Sequence, residues 1–201
     1  MKQYGIVMAT RIEAEPFIRG IAPGLLEKGP VRVYSGDSAL VAVSGIGKVN
    51  AATAAAYLCW KYGVTHLFNC GSAGAVVEGY RVGDILHVNE VIEKDRPLPS
   101  GGIRRMRPDM FDGFPTAVLA TSDRPVITDT DRLAAGKTAQ IVDMEGAAVV
   151  HAGKRFSSHT YLFKIITDVP GDTDGNAIMD KIKNTSEDMF HFFMKSVLPL
   201  I

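Results

Sequence analysis

The sequence predicts an α/β protein, a sandwich in which helices cover a mostly parallel or mixed central sheet. Short apolar runs rich in β-branched and aromatic residues alternate with helix-like stretches along the chain, which is the pattern of such folds. The length of 201 residues, with 46% hydrophobic residues, allows a substantial core. We therefore expect a single domain over residues 1–201.

Each predicted element has its own signal. Two strands flank a Gly-Asp-Ser turn at residues 36–38, and an Ala-rich helix at residues 48–62 is closed by Gly63. Apolar residues recur at helical spacing through residues 178–197. Strands are predicted at residues 4–9, 31–34, 39–44, 65–70, 84–93, 117–121 and 160–167, and helices at 11–19, 48–62, 144–155 and 176–198. Residues 94–115, rich in Pro, Gly and Arg, are predicted to form a long loop.

Charge and composition narrow the choice of partner. The chain has 22 Lys and Arg residues and 22 Asp and Glu residues, so no net field attracts nucleic acid or an anionic membrane. We expect a small-molecule partner. No apolar run is long enough for a transmembrane helix or a signal peptide, which favours a cytoplasmic location. Cys59 and Cys70 lie apart from any CxxC or His cluster, so both are expected to be reduced and buried.

Small-residue segments follow two of the predicted strands. Ligands of open α/β sheets bind beyond the carboxyl ends of strands, so these segments are candidates for chemistry. The segment SGIGKVN, residues 44–50, is a tight turn into a helix whose N-terminus could bind an anion or a hydroxyl. The segment NCGSAGA, residues 69–75, either lets a ligand approach the backbone or lets two loops pack together.

Three acids at the ends of separate elements, Glu13, Glu145 and Asp168, could converge on one cleft. Structural roles also fit them: Glu13 and Glu145 could be first-turn acids of helices, the latter with Asp143 as N-cap. Asp168 could cap the Pro-Gly turn that follows it. The five histidines show no metal-ligand spacing and no GxSxG motif occurs. The residues thus favour carboxylate chemistry without metal or cofactor, in which one acid protonates a leaving group and another activates water.

Six motifs in a fixed order carry a family resemblance. ATRIEAE, SGIGKVNAA, NCGSAGA, VGDI, VDMEGAA and ITD run through nearly the whole chain. This order resembles the nucleoside phosphorylase and nucleosidase superfamily, most closely the 5′-methylthioadenosine/S-adenosylhomocysteine nucleosidases and related futalosine hydrolases. The resemblance implies a three-layer α/β/α sandwich around a mixed, partly barrel-like sheet. It also implies a homodimer that cleaves the N-glycosidic bond of a purine nucleoside, with no cofactor.

The resemblance also implies a role for each matching residue. Asp168 matches the general acid that protonates N7 of the purine, and Glu13 the carboxylate that orients and deprotonates water. Glu145 matches the residue that binds the ribose hydroxyls, with Met144 packed against the sugar. An apolar surround at the strand tip would favour the protonated form of Asp168 that this role requires. The other positions expected to bind substrate are Ser72, Gly74, Asp143 and, at the purine edge, Val126.

Other functions stay open at this point. Phosphorylases of this superfamily carry a phosphate-binding arginine where this chain has Asn69, which favours hydrolysis over phosphorolysis. Arg11 or the arginines of residues 104–107 could still supply positive charge for phosphate. The stretch between VGDI and DMEG is shorter than usual, so the chain could instead bind a nucleoside without cleaving it. A dinucleotide-binding oxidoreductase fits least, because Asn50 interrupts the GxGxxG fingerprint. The 5′ substituent of the substrate is left undetermined.

Overall fold

The computed structural model describes residues 4–99 and 101–201, which form a mixed α/β fold. The strands are β1 Tyr4–Met8, β2 Gly24–Glu27, β3 Arg32–Ser35, β4 Ala39–Val43, β5 His66–Ala75, β6 Ile85–Pro97, β7 Ile103–Met106, β8 Thr116–Thr121, β9 Ile141–Asp143 and β10 His159–Asp168. The helices are α1 Arg11–Ile21, α2 Lys48–Tyr62, α3 Asp129–Gly136, α4 Gly146–Arg155 and α5 Gly175–Phe192. A π-helical turn, Phe193–Val197, and a 3₁₀ turn, Leu198–Leu200, follow α5.

The central sheet is mixed and partly closed. Its strands lie in the order β10-β6-β8-β9-β5-β1-β4-β3-β2, and β10 also pairs with β5, so five strands form a closed barrel. Strand β1 runs parallel to β4 and β5, whereas β6 runs antiparallel to β10. The mixed, partly barrel-like sheet expected from the sequence is therefore confirmed.

Helices cover both faces of this sheet. On one face, α1 and α5 pack on β1, β5 and β10 through an aromatic cluster that includes Phe17, Phe68, Phe163 and Phe193, all fully buried. On the other face, the alanines of α2 and α4 let these two helices approach the sheet closely. Burial of this apolar surface is the main stabilising term of such a sandwich. It also holds the strand ends in fixed positions, where the candidate site lies.

Several predicted boundaries need correction. The segment GSAGA is not a loop: β5 continues through it to Ala75, because β10 pairs with it in parallel register from Gly71 to Gly74. Residues 94–115 are not a single loop, since β6 extends into them and forms a hairpin with β7. The short elements β2, β9 and α3 were not predicted, and the last α-helix is shorter than expected.

Two further expectations concern the cysteines and the membrane. Cys59 and Cys70 are both free and buried, as predicted. In the part of the chain that the structure describes, no helix is both long and apolar enough to span a bilayer.

Candidate active site

A cavity of about 260 Å³ lies beyond the carboxyl ends of β1, β5, β9 and β10. Helix α5 forms one wall with apolar side chains, and the loop before α3 forms another. All eight positions expected from the sequence line this cavity: Glu13, Ser72, Gly74, Val126, Asp143, Met144, Glu145 and Asp168. The fold therefore brings together residues that are separated by up to 155 positions along the chain.

Glu13 is held by four hydrogen-bond donors. It is the third residue of α1 and forms a capping box with Thr10, whose backbone N and side-chain Oγ1 lie 3.1 and 2.8 Å from Glu13 Oε2. The other oxygen, Oε1, accepts from the backbone N of Ser72 at 3.0 Å and from its Oγ at 2.8 Å. Glu13 thus has the helix-capping role that the sequence allowed, and at the same time it faces the cavity.

Glu145 has far fewer partners. Its Oε1 accepts a hydrogen bond from the backbone N of Gly47 at 2.7 Å, which connects the glycine-rich turn to the site. Burial, and then the nearby carboxylate of Asp143, raise the pKa of Glu145 to about 7. Glu145 is the N-cap residue of α4, not a residue of its first turn, and its side chain makes no capping hydrogen bond. Its carboxylate is therefore directed to the cavity and not to its own helix.

Asp143 is occupied by contacts within the protein. Its Oδ2 lies 2.8 Å from Nζ of Lys164 and accepts from the backbone N of Gly146 at 2.7 Å, and its Oδ1 accepts from Thr121 Oγ1 at 2.6 Å. The side chain is only 1% exposed. The carboxylate thus supports the start of α4 and pairs with Lys164. Asp143 also lines the cavity, and its role in binding substrate stays a prediction.

Lys164 is a buried cation within the site. Burial alone would lower its pKa, but the charges of Asp143 and Glu145 outweigh burial and raise the pKa above the usual value for lysine. Glu13 also contributes to this shift. Lys164 therefore remains protonated and offsets part of the negative charge that three carboxylates bring to the cavity.

Asp168, the last residue of β10, does not lie in an apolar surround. Its Oδ2 accepts a hydrogen bond from Nη2 of Arg132 at 2.5 Å, and its Oδ1 accepts from Oγ1 of Thr167 at 3.0 Å. Asp168 caps no turn: the backbone N of Val169 instead donates to Asp172 at 3.0 Å. The expected apolar environment is wrong, because the sequence did not reveal that α3 places a guanidinium behind this carboxylate.

Sequence reasoning missed both buried cations, although each left a signal. Lys164 stands inside the apolar run FKIITD, where a charged residue requires a buried partner. Arg132 comes directly after TDTD, residues 128–131, which is a recognisable helix start. Thr128 caps α3 there by accepting a hydrogen bond from the backbone N of Asp131 at 3.2 Å. Neither signal identifies the partner, since Asp143 and Asp168 meet these cations only in the folded chain.

The fold is that of a known class. The family model of the phosphorylase superfamily matches residues 4–121, more than half of the chain. The chain therefore belongs to the phosphorylase superfamily, as the order of its motifs indicated.

Individual relatives agree with this assignment. The chain is 32% identical over 97 residues to the 5′-methylthioadenosine/S-adenosylhomocysteine nucleosidase of Shewanella frigidimarina, an alignment that covers 47% of this chain and 42% of that relative. It is 23% identical over 234 aligned positions to the aminodeoxyfutalosine nucleosidase of Helicobacter pylori, covering 98% of this chain and 99% of that relative. The crystal structure of the H. pylori 5′-methylthioadenosine/S-adenosylhomocysteine nucleosidase with butyl-thio-DADMe-Immucillin-A superposes with a TM-score of 0.88 at 20% identity, covering 100% and 99% of the two chains. This superposition establishes the fold.

Proposed function

We propose that the chain is a purine nucleosidase, which hydrolyses the N-glycosidic bond of an adenosine-type nucleoside modified at the 5′ position. The observation that carries this proposal is the convergence of Glu13, Glu145 and Asp168 on one cavity. The named relatives are nucleosidases, which supports the same reaction. The whole chain, residues 1–201, is proposed to act as one domain.

In the proposed reaction the bond between C1′ and N9 breaks, and the oxygen of a water molecule bonds to C1′. Asp168 gives its proton to N7, so the purine leaves as a neutral base. Glu13 takes a proton from the attacking water. Protonation of the leaving group and removal of a proton from the nucleophile each contribute typically 10²–10⁴-fold to such reactions.

Glu13 needs a local rearrangement before it can act as this base. Its two oxygens already accept four hydrogen bonds, and a carboxylate offers about four lone-pair sites. Two of the donors are hydroxyl groups, those of Thr10 and Ser72, which can rotate while the backbone donors stay in place. We infer that one hydroxyl turns towards the substrate as water enters and so frees one site on Glu13.

Glu145 suits the ribose. When ionised, it accepts hydrogen bonds, and one of its oxygens is already fixed by Gly47. The 2′ and 3′ hydroxyls of ribose are donors that a carboxylate can bind together. Met144 also lines the cavity and is proposed to supply an apolar contact to the sugar, whereas Val126 lies on the loop proposed to face the purine.

The charges around the cavity favour hydrolysis over phosphorolysis. Among the described residues that line it, the charged ones are all acids: Glu13, Asp143, Glu145 and Asp168. Phosphate would meet these carboxylates, and the two nearby cations, Lys164 and Arg132, are already paired with Asp143 and Asp168. Arg11 bonds to Glu15 and Tyr34, and Arg105 pairs with Glu90, so these arginines are engaged elsewhere.

Release of purine in phosphate-free buffer tests the proposal. We expect adenine to be released from 5′-methylthioadenosine or a related nucleoside, with the free sugar, 5-methylthioribose in the case of 5′-methylthioadenosine, as the other product. Asp168→Asn should lower kcat/KM by about 10²–10⁴-fold, the range for loss of a general acid. A panel from which the wild-type chain releases no base, or an Asp168→Asn variant with full activity, would overturn it. Turnover that requires phosphate and yields ribose 1-phosphate would show a phosphorylase instead.

A homodimer and a cytoplasmic location are proposed with this activity. On α2, Val49 and Trp60 are 79% and 73% exposed, and their spacing of eleven residues places them on one stripe of the helix. Exposed apolar residues of this size suit a subunit interface. Light scattering that shows a monomer at micromolar concentration would contradict the dimer, and cell fractionation tests the location.

A further inference from the structure

Arg132 connects Asp168 to three separate backbone segments. It is 2% exposed, although it carries a permanent charge. Its Nη2 donates to Asp168 Oδ2 at 2.5 Å and its Nη1 to the carbonyl of Ala75 at 2.6 Å. Weaker contacts reach the carbonyls of Asp172 and Ile127 at 3.2 and 3.4 Å. The guanidinium is therefore fixed in place by the end of β5, by the loop before α3 and by the turn after β10.

This arginine stands behind the carboxylate and not in front of it. Asp168 lines the site cavity, whereas Arg132 is absent from the described residues that line it. Arg132 instead lines a separate surface groove between α3 and the segment after β5. Any effect of Arg132 on a bound nucleoside therefore passes through Asp168.

We propose that Arg132 is a positioning residue that controls the proton on Asp168 by stabilising the carboxylate left after this proton passes to the purine. The inference rests on the proposed nucleosidase function. As the N7–H bond forms, the O–H bond of Asp168 breaks and its electron pair remains on the carboxylate. The pair of the C1′–N9 bond leaves with the purine.

The guanidinium lowers the energy of the state in which Asp168 has just become negative, so proton transfer to N7 is easier. A leaving group that needs no proton gains nothing from this contact. Loss of Arg132 is therefore expected to slow the departure of a purine more than the departure of a stable anion.

Other charged groups near Asp168 do not duplicate this contact. Asp172 lies closest along the chain, but its carboxylate pairs with Lys181 at 2.7 Å. Among the described residues, the side-chain groups that hydrogen-bond to the Asp168 carboxylate are those of Arg132 and Thr167. Charged groups on the surrounding elements include Asp129 and Asp131 on α3, Asp174 before α5, Asp180 and Lys183 on α5, Lys164 on β10, and the cavity acids Glu13, Asp143 and Glu145.

The test compares two substrates that share the 5-methylthioribose sugar but differ in their leaving group. Adenine of 5′-methylthioadenosine needs a proton to leave, whereas 4-nitrophenolate of 4-nitrophenyl 5-methylthio-β-D-riboside leaves as a stable anion. The ratio of the two kcat/KM values cancels effects on ribose binding, including the titration of Glu145. It is measured at pH 8 in the wild type, in Arg132→Met and in Arg132→Lys.

In Arg132→Met the ratio of the kcat/KM for adenine release to the kcat/KM for 4-nitrophenolate release should fall by about 10²-fold, the lower end of the effect of removing one donor from a developing negative charge. Arg132→Lys keeps the charge and should keep most of the wild-type ratio. Equal losses on both substrates in Arg132→Met, which leave the ratio unchanged, would show a merely structural role and overturn the inference.

Arg132→Gln supplies a second test if Arg132→Met does not fold. Its amide can still donate to the carbonyl of Ala75 but carries no charge, so the ratio should fall as in Arg132→Met. A wild-type ratio in Arg132→Gln would overturn the role of Arg132 and leave the nucleosidase function standing. Failure of the wild type to release adenine from any nucleoside would instead overturn the proposed function. The two failures are thus distinguishable.

Discussion

The ammonium of Lys164 lies 2.8 Å from Oδ2 of Asp143, and both side chains are 1% exposed. Removing one member of a buried ion pair leaves an uncompensated charge, which costs about 3–5 kcal/mol. We therefore predict that Lys164→Met lowers the free energy of unfolding by about this amount, measured by urea denaturation at pH 7.

The matched control for this prediction is Lys181→Met. Lys181 also pairs with an aspartate, Asp172, at 2.7 Å, but the two side chains are 32% and 28% exposed. A pair in contact with solvent contributes about 0–1 kcal/mol, so this variant should unfold close to the wild type. Equal losses in the two variants would contradict the role assigned to the buried pair.

Glu145 gives the stability a defined pH dependence. Its pKa is raised from 4.5 in the unfolded chain to about 7 in the folded protein. The folded state therefore binds the proton more tightly, so this contribution to stability is fully present below pH 4.5 and is lost as the pH rises through 7. Glu145→Gln should remove this loss, because it carries no charge at any pH.

We accordingly predict that Glu145→Gln is more stable than the wild type at pH 8, by at most about 3 kcal/mol, and that the difference shrinks towards pH 5. Thermal unfolding at several pH values measures it. The variant should also lose affinity for nucleoside, since an amide cannot replace a carboxylate that accepts from two hydroxyls. A variant that is destabilised at pH 8 would show that the charge of Glu145 is better compensated than its contacts indicate.

Binding of ribose should depend on the same group. Below about pH 7 Glu145 takes up a proton and loses an acceptor, so the affinity for an unreactive nucleoside analogue should fall by up to about tenfold per pH unit. Calorimetry between pH 5 and pH 8 measures this. The 2′,3′-dideoxy form of the same analogue lacks the hydroxyls and serves as the control. A parallel fall for both ligands would assign the pH dependence to another group.

The sequence allowed much of the site to be predicted because the acids follow recognisable strands and helix starts. Glu13, Glu145 and Asp168 could each be placed at the end of an element, and the fold brings all three to one cavity. The cations that balance the charge of these acids could not be predicted in this way. Their positions depend on contacts between distant segments, such as the one between α3 and the end of β10.

The error at GSAGA has a different origin. Glycine and alanine have low strand propensity, so local sequence favours a loop there. In the folded chain β10 supplies a full parallel partner to this segment, and the paired backbone outweighs the propensity. The small residues of this segment leave room for the acidic side chains: a Cβ at Gly71 would lie 3.1 Å from Glu13 Oε1.

Gly74 leads to the last prediction. A Cβ at this position would lie 2.5 Å from Oδ2 of Asp168, a distance at which one of the two groups must move. Because Arg132 and Thr167 hold the carboxylate from the other side, Gly74→Ala should push Asp168 out of line with the purine and disturb its ion pair. We expect a loss of purine release of about 10²-fold or more, since small displacements of a catalytic group have effects of this size. Gly29→Ala is the control, because a Cβ there meets no atom within 4 Å and the residue is exposed and away from the residues that line the cavity. Activity and thermal unfolding of both variants are measured together, and a Gly74→Ala variant as active as Gly29→Ala would show that the position of Asp168 tolerates the shift.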